Sequence, residues 1–145
     1  MRDASLAAPR FRVARPTRDL RAATRFYTEA LGLQVLARFD DHAGFDGVIL
    51  GLPEWPYHLE LTRRRDEPLL PRPTDEDLLV FYLPDRAEWR ALVRRVDAFG
   101  AAPVASSNPY WDVCGITFAD PDGYRIVLQN DDWPEQGATR ARPTA

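Results

Sequence analysis

The feature that most constrains this chain is that one order of apolar runs and breakers is written twice. "FRVAR", residues 11–15, reads as a short strand stopped by Pro16. "TRDLRAATRFYTEALGL" follows as a helix, with Leu20, Ala23, Phe26, Tyr27 and Leu31 on one stripe at helical spacing. Thr17 or Asp19 can cap its start, and Gly32 suits a left-handed stop. Three strand-like runs come next: "LQVLARF", "FDGVILGL" and "YHLELT", separated by the breakers "DDHAG" and "PEWP". The same order returns after residue 77: strand "LLVFYL", helix "PDRAEWRALVRRVDAFG" with Trp89, Leu92, Val96 and Phe99 on its stripe, then "APVAS" as a short strand, "NPYWDVCGITFAD" as a turn and a strand, and "YRIVLQN" as the last strand. The helix-opening Asp19 and Asp85 lie 66 positions apart, and the helix-ending Gly32 and Gly100 lie 68 apart. Two similar modules are the simplest account of such a period. Each is small for burying its own core. The expected organisation is a leader over 1–10, a first module over 11–62, a linker over 63–77, a second module over 78–129 and a tail over 130–145.

Composition excludes several function classes. A net charge of −3 leaves no polybasic footprint, so neither nucleic acid nor an anionic membrane is an expected partner. No run approaches the ~18 apolar residues of a membrane-crossing helix, and the N-terminus lacks the apolar stretch of a signal peptide. Cys114 is the only cysteine, which rules out an intrachain disulfide and makes a cytoplasmic home the default expectation. Its neighbours Val113 and Ile116 suggest a buried strand thiol. "GLG" and "DPDG" are turn glycines without a phosphate loop, and no G-x-S-x-G elbow occurs. The triplet Arg63–Arg65 is followed by Asp66 and Glu67 and reads as a solvated face.

"RDLRAATRFYTEALGL", "ELT" at Glu60–Thr62 and "FADPDGYRIVLQ" together resemble the recurring motifs of the vicinal oxygen chelate superfamily, which includes glyoxalase I, extradiol dioxygenases, fosfomycin-resistance proteins and bleomycin-binding proteins. The resemblance runs from about Phe11 to Gln129, and the "DPDG" turn is its most specific element. "ARPT", "FDGVILGLP" and "YHLELT" further resemble a branch called YycE-like. The resemblance implies an α+β fold: two βαβββ modules whose mixed sheets form a cup-shaped pocket, with helices on the outer face. Fold alone names no reaction.

In the metalloenzymes of that superfamily, four strand positions hold a divalent metal, usually through His or Glu. Carried over by motif, those positions are Arg12, Glu60, Leu78 (or Asp77) and Val127. A divalent ion needs several N, O or S donors. Arg12 has no lone pair to give, and Leu78 and Val127 offer nothing. A cup-facing Glu60 without a cation carries a desolvation cost, which Arg12 can offset as a two-pronged partner. An Arg12–Glu60 ion pair is therefore expected in place of the metal, and a resident cofactor is not. His58 shares the polar side of its strand with Glu60, and both are the candidate catalytic residues if a reaction is catalysed. Convergence of His42, His58 and Glu60 would instead build a displaced metal site.

Strand alternation places Arg12, Ala14, His58, Glu60, Thr62, Leu78, Val80, Tyr82, Arg125, Val127 and Gln129 on the cup side. Trp55, Tyr57, Tyr110 and Trp111 border it, either to stack on a flat ligand or to close sheet edges. Apolar walls with a few polar groups suit a small-molecule ligand, and the resemblance implies a homodimer. Two readings result. One is a metal-free binding protein that sequesters a small molecule. The other is a metal-dependent or metal-free lyase or dioxygenase of glyoxalase type using Glu60 and His58.

Overall fold

The computed structural model describes residues 4–6 and 9–133, so most of the expected tail and half of the leader lie outside the described residues. The chain divides into two compact units. One holds 32–71 with the chain before Glu29; the other holds 29–31 with the chain after Pro71. The division falls inside the expected linker.

The first unit contains strand β1 (Phe11–Pro16), helix α1 (Leu20–Arg25), and strands β2 (Gln34–His42), β3 (Phe45–Gly51) and β4 (Tyr57–Arg64). Its sheet runs β1-β4-β3-β2, with β1 and β4 parallel and the other pairs antiparallel. The second unit contains β5 (Leu78–Tyr82), α2 (Arg86–Phe99), β6 (Pro103–Val104), α3 (Tyr110–Val113), β7 (Gly115–Ala119) and β8 (Arg125–Gln129). Its sheet runs β5-β8-β7-β6, again with one parallel pair, β5 and β8. The two sheets share one topology, as the repeated sequence requires.

The local signals explain the element ends. Asp19 accepts the Ala22 amide at 3.0 Å, and Asp85 accepts the Glu88 amide at 2.9 Å, so both aspartates cap their helices. Gly32 and Gly100 adopt left-handed φ values of 76° and 103° and stop them. The first helix is not uniform. After Arg25 the chain widens into a π turn over Phe26–Ala30. The Thr24 and Thr28 hydroxyls donate back to the Leu20 and Thr24 carbonyls there, a bond that bends helices. In the "DPDG" turn, the Asp120 carboxylate accepts the Asp122 and Tyr124 amides at 2.9 Å each, and Gly123 takes φ 92°.

Each sheet turns one face to its helix. In the first unit Val48, Leu50, Leu59 and Leu61 are buried on that face, along with Phe26 and Tyr27 from the helix segment, whose rings meet edge to face at 5.1 Å. Each such side chain contributes about 1.5–3 kcal/mol by leaving water. In the second unit Phe118, Ile126 and Leu128 are buried with Val96, and the Trp89 indole donates to the Leu128 carbonyl at 2.8 Å.

One local expectation needs correction. Cys114 is not a buried strand thiol: it is partly exposed and ends the short helix α3, one residue before β7. The turn expected after Asn108 is helical, with the Asn108 side chain accepting the Tyr110 amide at 3.0 Å, and the expected strand follows it. No described helix is long and apolar enough to cross a membrane.

Candidate functional site

Register decides which side chains share the face opposite α1. Arg12 lies beside His58, Ala14 beside Glu60 and Pro16 beside Thr62 on the parallel pair β1 and β4. Ile49 lies beside Glu60, Gly47 beside Thr62 and Phe45 beside Arg64 on β3. Ala37 and Phe39 continue the row onto β2. This face holds an open pocket of about 400 Å³, walled by Phe39, Phe45, Pro16 and Leu69 and carrying Glu60, Thr62, His42 and Arg64 as polar groups.

Two glycines seat rings on this face. A Cβ on Gly47 would collide with Cζ of Phe39, so the ring lies in the space a side chain would fill. A Cβ on Gly51 would meet the His58 ring at 3.3 Å, a tight contact. The spacing of glycines in "FDGVILGL" is therefore a packing requirement, with one ring set at each.

The expected ion pair forms, but through one prong: Arg12 Nη1 stands 3.6 Å from Glu60 Oε1, while Arg12 Nη2 stands 3.5 Å from Nδ1 of His58. Arg12 is therefore placed between the two candidate catalytic groups. His42 lines the same pocket as Glu60 but from the opposite edge strand, β2, where its ring meets Phe39 edge to face with centroids 6.3 Å apart. The described residues contain no group of three His, Cys, Asp or Glu side chains placed to hold a metal. The donor set does not fit the divalent ion of the metalloenzymes: a cation beside Glu60 would meet the Arg12 guanidinium.

The remaining expected residues lie together on the second sheet. Leu78 is beside Arg125, Val80 beside Val127 and Tyr82 beside Gln129. Here the centre of the equivalent face is buried: Thr117, Val127 and Gln129 are each at most 1% exposed, while Leu78, Val80, Tyr82 and Arg125 around them are partly exposed. The segment after β6 is tied across it. Ser106 and Thr117 share a hydroxyl hydrogen bond of 2.6 Å, and Arg125 donates to the Ala105 carbonyl while pairing with Asp75 at 3.1 Å. Trp111 sits on α3, edge to face with Tyr110. Trp55 and Tyr57 stack on each other at 4.8 Å.

Alternation along β3 carries the signal for Phe45 and Gly47, which a reading restricted to the first and last strand of each module leaves out. The pairing of β2 with β3 shifts register between Val35 and Ala37 and again between Phe39 and His42. Those shifts decide which β2 residues face the pocket.

Comparison with known proteins agrees with this architecture. The model of the YycE-like N-terminal domain matches residues 11–62, and that of the YycE-like C-terminal domain matches residues 76–130. The chain belongs to the YycE-like family. It is 43% identical to the uncharacterized protein YycE of Bacillus subtilis over 129 residues, covering 89% of this chain and 93% of that protein. The crystal structure of that YycE superposes with a TM-score of 0.84 at 41% identity, over 95% of this chain and all of the other. Glyoxalase I of Leishmania major superposes with a TM-score of 0.67 at 23% identity, covering 86% and 88% of the two chains. TnmS3, an antibiotic-binding protein from Streptomyces sp. CB03234, superposes at 0.61 and 22%, covering 88% and 98%. The latter two share the fold of the vicinal oxygen chelate superfamily, to which the YycE-like proteins belong.

Proposed function

We propose that this chain binds a small molecule in the pocket on the open face of its first sheet, sequesters it, and does so without a resident metal or other cofactor. The observation that carries the reading is the Arg12–Glu60 pair: the carboxylate that bears on the pocket has a side-chain cation 3.6 Å away. A pocket of about 400 Å³ falls in the range of small-ligand sites. Its walls are apolar and its polar groups few, the usual division between affinity and orientation. The fold is shared with TnmS3, an antibiotic-binding protein, which supports ligand capture as a use of this scaffold. The binding unit in this reading is a homodimer.

Glyoxalase-type chemistry is a second reading, favoured by the shared face of His58 and Glu60. It would need substrate protons within hydrogen-bond reach of one of them.

Elemental analysis of tag-free protein, after incubation with Zn, Ni, Mn, Fe(II) and Co and desalting, tests the metal-free site. Near-zero occupancy for every metal is the expected result. Close to one equivalent of any metal in the wild type, lost in Glu60→Ala, would overturn it and make lyase and dioxygenase assays the next step. Sedimentation velocity decides the dimer.

A further inference from the structure

We propose that Glu60 selects the ligand: the pocket takes a planar aromatic molecule that carries a neutral hydrogen-bond donor, such as a phenol, an aromatic amide N–H or a ring N–H. The inference rests on the pocket being the binding site, as proposed above.

The Glu60 side chain is only 20% exposed, yet its carboxylate accepts no hydrogen bond from the described residues. Its one polar contact is Arg12 Nη1 at 3.6 Å, longer than a charge-assisted N–H···O bond. An ionised carboxylate offers about four acceptor sites. A partly exposed carboxylate in that state is open to water, and a ligand that brings an N–H or O–H to it replaces that water with a directed bond to a charged acceptor. The pocket is where such a group would enter, because Glu60 is part of its lining.

Charge narrows the donor. Arg15 and Arg64 line the same pocket, and Arg12 stands beside Glu60. A cationic donor would enter a pocket lined by the guanidinium groups of Arg15 and Arg64, with Arg12 beside Glu60, whereas a neutral donor incurs no such repulsion. An anionic group would compete for arginines that already have partners. Arg12 pairs with Glu60, Arg15 donates to the Tyr27 hydroxyl at 2.8 Å, and Arg64 is engaged by Asp66 at 3.2 Å. Shape narrows the body of the ligand. Phe39 is seated on Gly47 and Phe45 lies beside it on the next strand, so one wall is aromatic. Aromatic ligands pack on such rings with offset or edge contacts. A bicyclic ring fits within about 400 Å³.

The test is a matched series of naphthalenes, titrated by isothermal calorimetry and ligand-observed NMR: 2-naphthol, with a donor; 2-methoxynaphthalene, without one; and 2-naphthoate, an anion. The expected result is that 2-naphthol binds wild-type protein about tenfold more tightly than 2-methoxynaphthalene, the scale of one hydrogen bond to a charged acceptor. In Glu60→Leu that preference falls to about twofold or less. In Glu60→Gln, which keeps a neutral acceptor, the preference falls to about threefold, so the proposal stays testable if the leucine variant does not fold. Equal affinity for naphthol and its methyl ether would overturn the donor proposal and leave the pocket standing. Naphthoate as the tightest ligand would overturn it in favour of the arginines. No binding by any of the three up to millimolar concentration would overturn the pocket reading itself, and this inference with it.

Discussion

At the residue scale, two positions carry physical arguments that can be tested singly. Gly47 is the seat of Phe39, and Ala at 47 would put a methyl group inside the space of that ring. The colliding atoms are the far end of a side chain, so the ring can swing away from the sheet. Gly47→Ala should therefore lower stability by only about 1 kcal/mol, at the mild end of overpacking. The same change should weaken the binding of aromatic probes by more than that, since it removes a pocket wall. Urea denaturation and probe titration on the same variant separate the two effects. Asp46 makes the second argument. Its carboxylate accepts from Arg65 at 2.7 Å and 2.8 Å and from the Asp41 amide at 2.9 Å. The Arg65 hydrogen bond, then that amide, hold its pKa below the ordinary value of 3.8. A carboxylate with a depressed folded pKa stabilises the fold above its unfolded pKa and loses that contribution as pH falls through the folded value. Asp46→Asn should thus be less stable than wild type near neutrality, and the gap should close as pH drops below 3.8. Urea curves for both proteins at about pH 6 and about pH 3 measure this. A constant gap would mean the loss is one of shape and not of charge.

At the element scale, much of the fold was legible, because its signals are local. Asp19, Gly32, Asp85 and Gly100 mark helix ends through geometry that only a few residue types supply. Asp85→Ala should cost about 1 kcal/mol, the usual value of an N-cap, and should loosen the start of α2. Amide exchange at Glu88, whose N–H the cap accepts, reports that loosening locally. The Arg12–Glu60 pair was legible for a related reason: strand alternation and a motif alignment put both on one face, and charge did the rest. The pocket walls were not. Which of Leu36, Ala37 and Phe39 faces the pocket depends on two register shifts in the pairing of β2 with β3. A bulge is set by twist and neighbouring packing, and period-2 alternation cannot place one. The π turn over Phe26–Ala30 was hidden for a similar reason, since its stripe still reads with helical spacing. Cys114 was misplaced because Val113 and Ile116 look like strand neighbours, while the turn that starts at Asn108 carries the chain as helix up to Val113.

At the scale of the whole molecule, the two modules repeat one topology and use it differently. In the first sheet the face opposite the helix is open: Ala14, Ala37 and His42 are exposed and Glu60 is partly so. In the second sheet the centre of the matching face is closed, with Thr117, Val127 and Gln129 buried. Two modules of one topology present two copies of a surface, and burial at the centre of one leaves the other open. The difference makes Val127 informative. Restoring a carboxylate there with Val127→Glu would place a charge at a fully buried position next to Val80 and Thr117 on the adjoining strands. Burial without a paired cation is expected to cost about 3 kcal/mol or more and to raise the new carboxyl group's pKa. The destabilisation should accordingly shrink in acid, where the group is neutral, and no metal should be retained after desalting. A variant as stable as wild type at neutral pH, or one that now retains a divalent ion, would show that the second sheet's face is accessible and that its closure does not set the division of labour between the modules.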